Sequence, residues 1–436
     1  LTRPLAAIFF ATAAIAMAAL ATAGDDDRKT LTRTEDVVVL PGAELPKLKG
    51  VHKDLVRAYA WKDGALAPIP FQVDERTPEL EYCWTTGPEP VKDVDDGLID
   101  ADDELVFAAR DSGDRAPAPL SLPAGATAQQ EVALEDPRTG GRGWVYLLAW
   151  NEKDHPPPPR SKARYVEAIP DPAGGARFRT EFFEVASTGS AGMTGRPTHV
   201  RLRDGDSFGP ELVSDAAHTH LEASYLFVKI DRDGKEARTA LGSSYIDGPV
   251  RIVAPVALEA YLIWGNWISD ARAYVIVSGH TWELHAALSV PVNLDGNAPS
   301  SARIAVELAP GAWELRNARN PVNISLAAPE RPVDPGFPAW NLLRGKSGAV
   351  LTRLELDPRL RRPKNRLSFL ESDSGDSHPV TKGEVGFFVD LTGLSKSEPE
   401  KPYELTYVAQ FFRDDAPGSE APFLAVRDQP LGRSVR

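Results

Sequence analysis

From Glu35 onward the chain alternates apolar and polar residues with a period of two, and helical periodicity is scarce. Successive strand residues point to opposite faces, so this pattern suits pleated backbone with one face buried. Leu55 to Trp61 alternates, Lys62-Asp63-Gly64 turns the chain, and Ala65 to Val73 returns as a partner strand. Asp-Gly between two such runs is a strong short-range hairpin signal. A second hairpin joins Glu131–Glu135 to Trp144–Trp150 through the turn-rich stretch from Asp136 to Gly143. Further strands are expected over Thr198–Arg203, Val250–Ile263, Thr281–Val290, Arg303–Leu308, Glu384–Leu391 and Tyr403–Phe412. Only Pro210 to Leu221 carries a helical reading, because proline suits a first helical turn. Short strands with frequent turn signals point to sandwiches or barrels rather than βαβ units. The expectation is an all-β, mostly antiparallel chain of two domains with few helices: a smaller N-terminal β domain and a larger β-sandwich or supersandwich.

Composition narrows the function. Asp and Glu number 62 against 49 Lys and Arg, a formal net charge of -13. That balance argues against nucleic acid or an anionic membrane surface as the main partner. The single cysteine, Cys83, excludes an internal disulfide framework and any cysteine-built metal site. A hydrophobic content of 42%, with nine Trp, is enough to fill cores and argues against disorder.

Residues 1–23 read as an export signal. Arg3 supplies a positive start, Leu5 to Leu20 is almost wholly apolar, and Ala21-Thr22-Ala23 gives a small-x-small cleavage pattern. No later segment reads as a membrane span. The expected location is therefore periplasmic or extracellular. The stiff tract Pro156 to Pro159 makes the best domain boundary. Residues 24–155 then form an N-terminal β domain, 156–160 a linker, and 161–436 a larger C-terminal β domain.

Two stretches carry a resemblance. Pro68-Ile69-Pro70-Phe71-Gln72-Val73-Asp74-Glu75, followed by Asp95-Asp96-Gly97-Leu98-Ile99-Asp100 and Asp102-Asp103-Glu104-Leu105-Val106-Phe107, resembles a recurrent pattern in uncharacterised secreted bacterial β-proteins. Asp247-Gly248-Pro249-Val250-Arg251 is similar to the Gly-Pro-x-Arg strand of mutarotase-like β-supersandwich proteins. The resemblance implies secretion, β-architecture and a glycan context, and brings no catalytic residue with it.

Four constellations could carry chemistry. The stretch from Asp93 to Glu104 holds seven carboxylates around Gly97. Calcium takes six to eight oxygen ligands, and a shortened loop using Asp93, Asp95, Asp96, Asp100 and Asp103 could close on one. With Gly97 in the glycine slot of an EF-hand-like loop, however, two ligand positions fall on Lys92 and Val94. The same carboxylates also read as a solvated acidic turn. His218 and His220 share one face if their segment is a strand. His280 and His285 flank Trp282 and Glu283, so imidazoles and a carboxylate could hold zinc or iron, or serve as acid and base. Ordinary hydrogen-bonded histidines are the simpler reading.

Gly205-Asp206-Ser207-Phe208-Gly209 spells the G-x-S-x-G of a nucleophile elbow, with Asp270, Glu283, His280, His285 or His378 as partners. Finally, Tyr261, Trp264, Trp267, Tyr274 and Trp282 could stack on sugar rings or fill a core.

The leading expectation is an exported, non-catalytic binding or structural protein, with polysaccharide or another glycan as partner and calcium as a structural ion. Its binding residues would be Trp264, Trp267 and Trp282. The alternatives are a polysaccharide lyase or glycoside hydrolase using His218, His220, Glu283 and His285, and a serine hydrolase using Ser207.

Overall fold

A computed structural model describes residues 27–86, 96–151, 156–170, 176–187, 197–225, 228–233, 238–241, 244–261, 267–268, 272–290, 292–327, 329–369, 383–398, 401–414 and 418–436. The export signal expected at residues 1–23 lies outside them. Among the described residues every paired strand is antiparallel, and the strands gather into four sheets. The architecture is all-β and sandwich-like, as the alternation implied.

The first two sheets are built mainly from the N-terminal third of the chain. One has three strands, ordered Val37–Pro41, Glu104–Ala108, Phe71–Asp74. The other has five, ordered Gly432–Val435, Ala126–Glu135, Arg142–Trp150, Val56–Lys62, Ala65–Pro68. Leu40, Leu105 and Phe107 from the first meet Val56, Val145 and Leu147 from the second in one core. Arg142–Trp150 is buried on both faces, because Tyr146, Leu148 and Trp150 pack with Tyr59 and Ala116 in a separate cluster.

The Asp63-Gly64 hairpin is present, with φ of 50° and 80° at its two turn residues. That pair of positive angles is the type I′ geometry that matches strand twist. The return strand differs from the expectation: it stops at Pro68, and Phe71–Asp74 joins the other sheet. Proline donates no ladder hydrogen bond, so Pro68-Ile69-Pro70 lets the chain leave one sheet for the next.

The larger pair of sheets holds the strands from Val166 to Phe412. A nine-stranded sheet runs from Arg366–Phe369 through Glu384–Asp390, Ser301–Leu308, Ser207–Tyr225 and Pro197–Asp204 to Val166–Pro170. An eleven-stranded sheet runs from Arg238–Leu241 through Arg251–Tyr261, Arg272–Ser278, Thr281–Leu288, Tyr403–Phe412 and Gly348–Leu356 to Ile324–Ser325. Phe183, Val213 and Phe387 of the first pack against Val277, Trp282, Tyr407 and Phe411 of the second. A fully buried side chain of this size contributes about 2–3 kcal/mol of burial free energy.

The helix expected over Pro210–Leu221 is instead part of the long strand Ser207–Tyr225. It pairs with Pro197–Asp204 on one side and Ser301–Leu308 on the other. Its register slips between Arg201 and Arg203 of the neighbouring strand, opposite Phe208 to Glu211. Pro210 sits in that irregularity, where a missing donor costs little.

The chain then returns to its beginning. The helix Ala421–Asp428 lies on the outer face of the eleven-stranded sheet, with Phe423 stacked on Phe412 at 4.2 Å between centroids. Gly432–Val435 next pairs with Ala126–Glu135, so the C-terminus completes a sheet of the first sandwich. No helix among the described residues is long and apolar enough to cross a membrane.

Candidate functional site

The two stretches singled out for their resemblance meet in space. Phe71–Asp74 and Glu104–Ala108 are neighbours, with Asp74 directly opposite Glu104. Like charges in that position repel. Arg251, only 4% exposed, enters between them from the larger sandwich. Its Nε donates to Asp74 Oδ2 at 2.8 Å, and its guanidinium also pairs with Glu104 and lies 3.4 Å from the Tyr82 hydroxyl. Arg76 pairs with the other oxygen of Glu104 at 2.8 Å.

Gln72 ties the backbones together. Its carbonyl oxygen accepts from Val250 N and Arg251 N, both at 3.0 Å, while its amide donates to Asp74 Oδ1 at 2.7 Å. A Cβ on Gly248 would fall 1.9 Å from Gln72 Oε1, so this approach requires glycine. Burial pushes the Asp74 carboxyl up against the pull of Arg251. Burial also acts on Glu104, but Arg251, Arg76 and Tyr82 outweigh it and hold that carboxyl below its usual range. Arg251 stays a cation.

Beside this network opens a cleft of about 530 Å³. Its floor is the outer face of the eleven-stranded sheet. Along Thr281–Leu288, Trp282, Leu284 and Ala286 point into the core, which turns Thr281, Glu283 and His285 outward. Tyr274 is the cross-strand partner of His285, and the two rings stack at 4.8 Å and 11°. Tyr82 meets Tyr274 edge-on at 5.1 Å. The walls come from Val37–Val39, from Glu104 and Arg251, and from the C-terminal segment through Arg427 and Arg433.

Glu283 is held from two sides in the cleft. His285 Nε2 is 2.9 Å from its Oε2, and Arg427 of the C-terminal helix pairs with the same oxygen. Burial alone would raise this carboxyl, but His285 and Arg427 together bring it down to about 2. The Thr406 hydroxyl lies 3.2 Å from His285 Nδ1. Burial pushes the Tyr274 phenol up.

The four residues proposed for catalysis thus divide into two pairs. Glu283 and His285 line the cleft. His218 and His220 share a face, as a strand requires, but on the other sheet: His218 Nδ1 is 2.5 Å from Glu384 Oε1, and His220 Nε2 is 3.3 Å from Asp231 Oδ1. His280 stacks on Phe182 at 3.5 Å and joins neither pair. Trp282, at 3% exposure, packs in the core against Tyr407. Trp267 lies in the two-residue strand Trp267–Ile268, and Trp264 lies outside the described residues.

Ser207 sits at a hairpin, paired with Asp204, and its hydroxyl donates to Asp204 O at 3.0 Å. The helix that a nucleophile elbow needs after the serine is a strand here. Asp270 and His378 lie outside the described residues.

In the acidic loop, Asp93 and Asp95 lie outside the described residues. Three of the others accept from backbone N–H groups: Asp96 Oδ1 from Leu98, Asp100 Oδ1 from Asp102, and Asp103 from both Asp100 and Arg76. Such side chain-to-backbone bonds shape tight turns.

No protein-family model and no curated protein sequence matches this chain.

Sequence reasoning did not single out Tyr82 or Arg427. Arg427 lies on a short helix that no periodicity announced. Two outcomes follow from the geometry. Arg251→Met leaves two facing carboxylates without their shared cation, and should cost about 3–5 kcal/mol in urea unfolding. Glu283 has a depressed folded-state value, so its contribution is present above the ordinary carboxylate range and is lost as pH falls towards 2. Its size is on the order of 3 kcal/mol at neutral pH. Glu283→Gln should therefore lower stability at pH 7 and flatten the acid limb between about pH 5 and 2 in pH-dependent melts.

Proposed function

We propose that this chain is an exported, non-catalytic binding protein whose cleft between the two sandwiches holds a glycan. The observation that carries the reading is the cleft floor. Stacked Tyr274 and His285 lie next to Glu283, which His285 and Arg427 both hold, and near Arg251, which Asp74 and Glu104 hold. Sugars are bound by this combination of ring surfaces and rigid polar groups able to reach paired hydroxyls. The volume falls within the range of about 300–1,000 Å³ usual for small-ligand sites.

Of the cleft carboxylates, Glu283 and Glu104 favour binding over hydrolysis, while Asp36, whose carboxyl burial raises, is tied to the Arg33 guanidinium. A glycosidase needs one carboxylic acid with a raised value, ready to give a proton at neutral pH. Glu283, at about 2, is a weak base and is deprotonated throughout that range. Glu104 is likewise held ionised by its partners.

A lyase is the second reading, supported by one observation: Tyr274 and His285 stand beside Arg427, a base candidate next to a neutralising cation. Against it, burial makes the Tyr274 phenol a harder acid to ionise.

The test is calorimetry of the purified protein against neutral and uronate-bearing oligosaccharides, with product analysis on the same mixtures. The expected result is saturable binding without turnover, weakened about 10-fold or more by Arg427→Ala, whose lost side chain removes a charge-assisted hydrogen bond. Unsaturated products or new reducing ends would transfer the cleft to the enzyme reading. Absence of binding to every glycan would remove the ligand class.

The acidic loop enters this proposal as the place of a structural calcium ion, with Asp96, Asp100 and Asp103 as its described carboxylates. Millimolar calcium should then raise the melting temperature, and Asp100→Asn should abolish the rise. An unchanged melting temperature leaves Asp96, Asp100 and Asp103 as turn-forming residues alone.

A further inference from the structure

On the far side of the larger sandwich, three adjacent strands of the nine-stranded sheet bring His218, Glu307 and Glu384 together. In Ser301–Leu308 and Glu384–Asp390, residues 304, 306, 308, 385, 387 and 389 point into the core. Glu307 and Glu384 are therefore on the opposite face, where they stand directly opposite each other. His218 follows the same face from the neighbouring strand, across from Ala305. The register slips between Asp215 and His218, which sets the histidine one step out of the regular ladder and next to the two glutamates. One ligating atom from each of the three residues lies within 4.8 Å of the others.

This arrangement is costly by itself. His218 is 8% and Glu384 7% exposed, and Glu307 is half-buried. Facing carboxylates on an antiparallel pair repel, and withdrawal from water strengthens the repulsion. The imidazole of His218, 2.5 Å from Glu384, can supply at most one positive charge against two carboxylates. A divalent ion supplies both charges and takes all three groups as ligands.

We propose that His218, Glu307 and Glu384 bind a divalent transition-metal ion of the zinc or manganese class. Imidazole selects this class over calcium and magnesium, which prefer oxygen alone, and the two carboxylates suit its harder members. Three protein ligands leave a coordination position open, to be filled by water or by an oxygen of an incoming ligand. The site lies across the sandwich from the cleft and stands independently of the glycan reading.

The experiment is calorimetric titration of chelator-treated protein with zinc chloride and, separately, manganese chloride. The expected result is about one ion per chain for at least one of the two metals. His218→Ala and Glu307→Gln should each weaken that binding about 10-fold or more. Glu307→Gln keeps the His218–Glu384 hydrogen bond and removes one of the two like charges. Its metal-free melt should match or exceed that of the unaltered protein, which separates loss of ligation from loss of fold. Failure of both metals to bind, or binding unchanged in both variants, would overturn the site.

Discussion

One guanidinium stands between two carboxylates that the sheet forces face to face. Asp74 and Glu104 are opposite each other because Phe71–Asp74 and Glu104–Ala108 are hydrogen-bonded neighbours. Neither could be buried there alone. Arg251 comes from the first residues of a strand in the other sandwich, so satisfying those charges also fixes one sandwich against the other. The backbone takes part as well, through Gln72 and the glycine that allows its close approach. A buried ion network of this kind adds little net stability over apolar packing, but breaking it is expensive, so it specifies one arrangement.

The cleft is a consequence of that arrangement. Once Arg251 is anchored, the outer face of the eleven-stranded sheet lies beside the three-stranded sheet, and Tyr274, Glu283 and His285 line the space between. The C-terminal helix closes another side, because Phe423 docks on Phe412 and so carries Arg427 to Glu283. The last strand then pairs with Ala126–Glu135. Val37–Val39 and the segment from Val426 to Arg433 thus line the same cleft, and the glycan-binding proposal rests on that rigidity.

Much of the fold was legible because alternation reports directly on which face is buried. Along Thr281–Leu288 the sequence reading grouped Trp282 with Glu283 and His285, although neighbours on a strand point to opposite faces and cannot all serve one pocket. The Asp-Gly hairpin was plain. The misreading at Pro210–Leu221 has a local cause. A register slip puts Leu212 and Val213 both into the core, breaking the period-two pattern, and proline then suggested a helix start. Sheet membership was not legible either, since Ala65 to Val73 reads as one strand and serves two sheets. The Asp-Gly-Pro-x-Arg and Gln-x-Asp stretches were visible separately, but their meeting, like the approach of Glu307 and Glu384 to His218, depends on pairings far apart in sequence.

The central claim is that Arg251 and Asp74 act as one unit across the boundary between the sandwiches. A double-mutant cycle on urea unfolding, with Asp74→Asn, Arg251→Met and the pair together, measures it directly. The account predicts strong coupling, on the order of 1–3 kcal/mol, with the double variant more stable than the sum of the single losses allows. Strictly additive losses would contradict it, and would mean that the two sandwiches are held in place by other contacts.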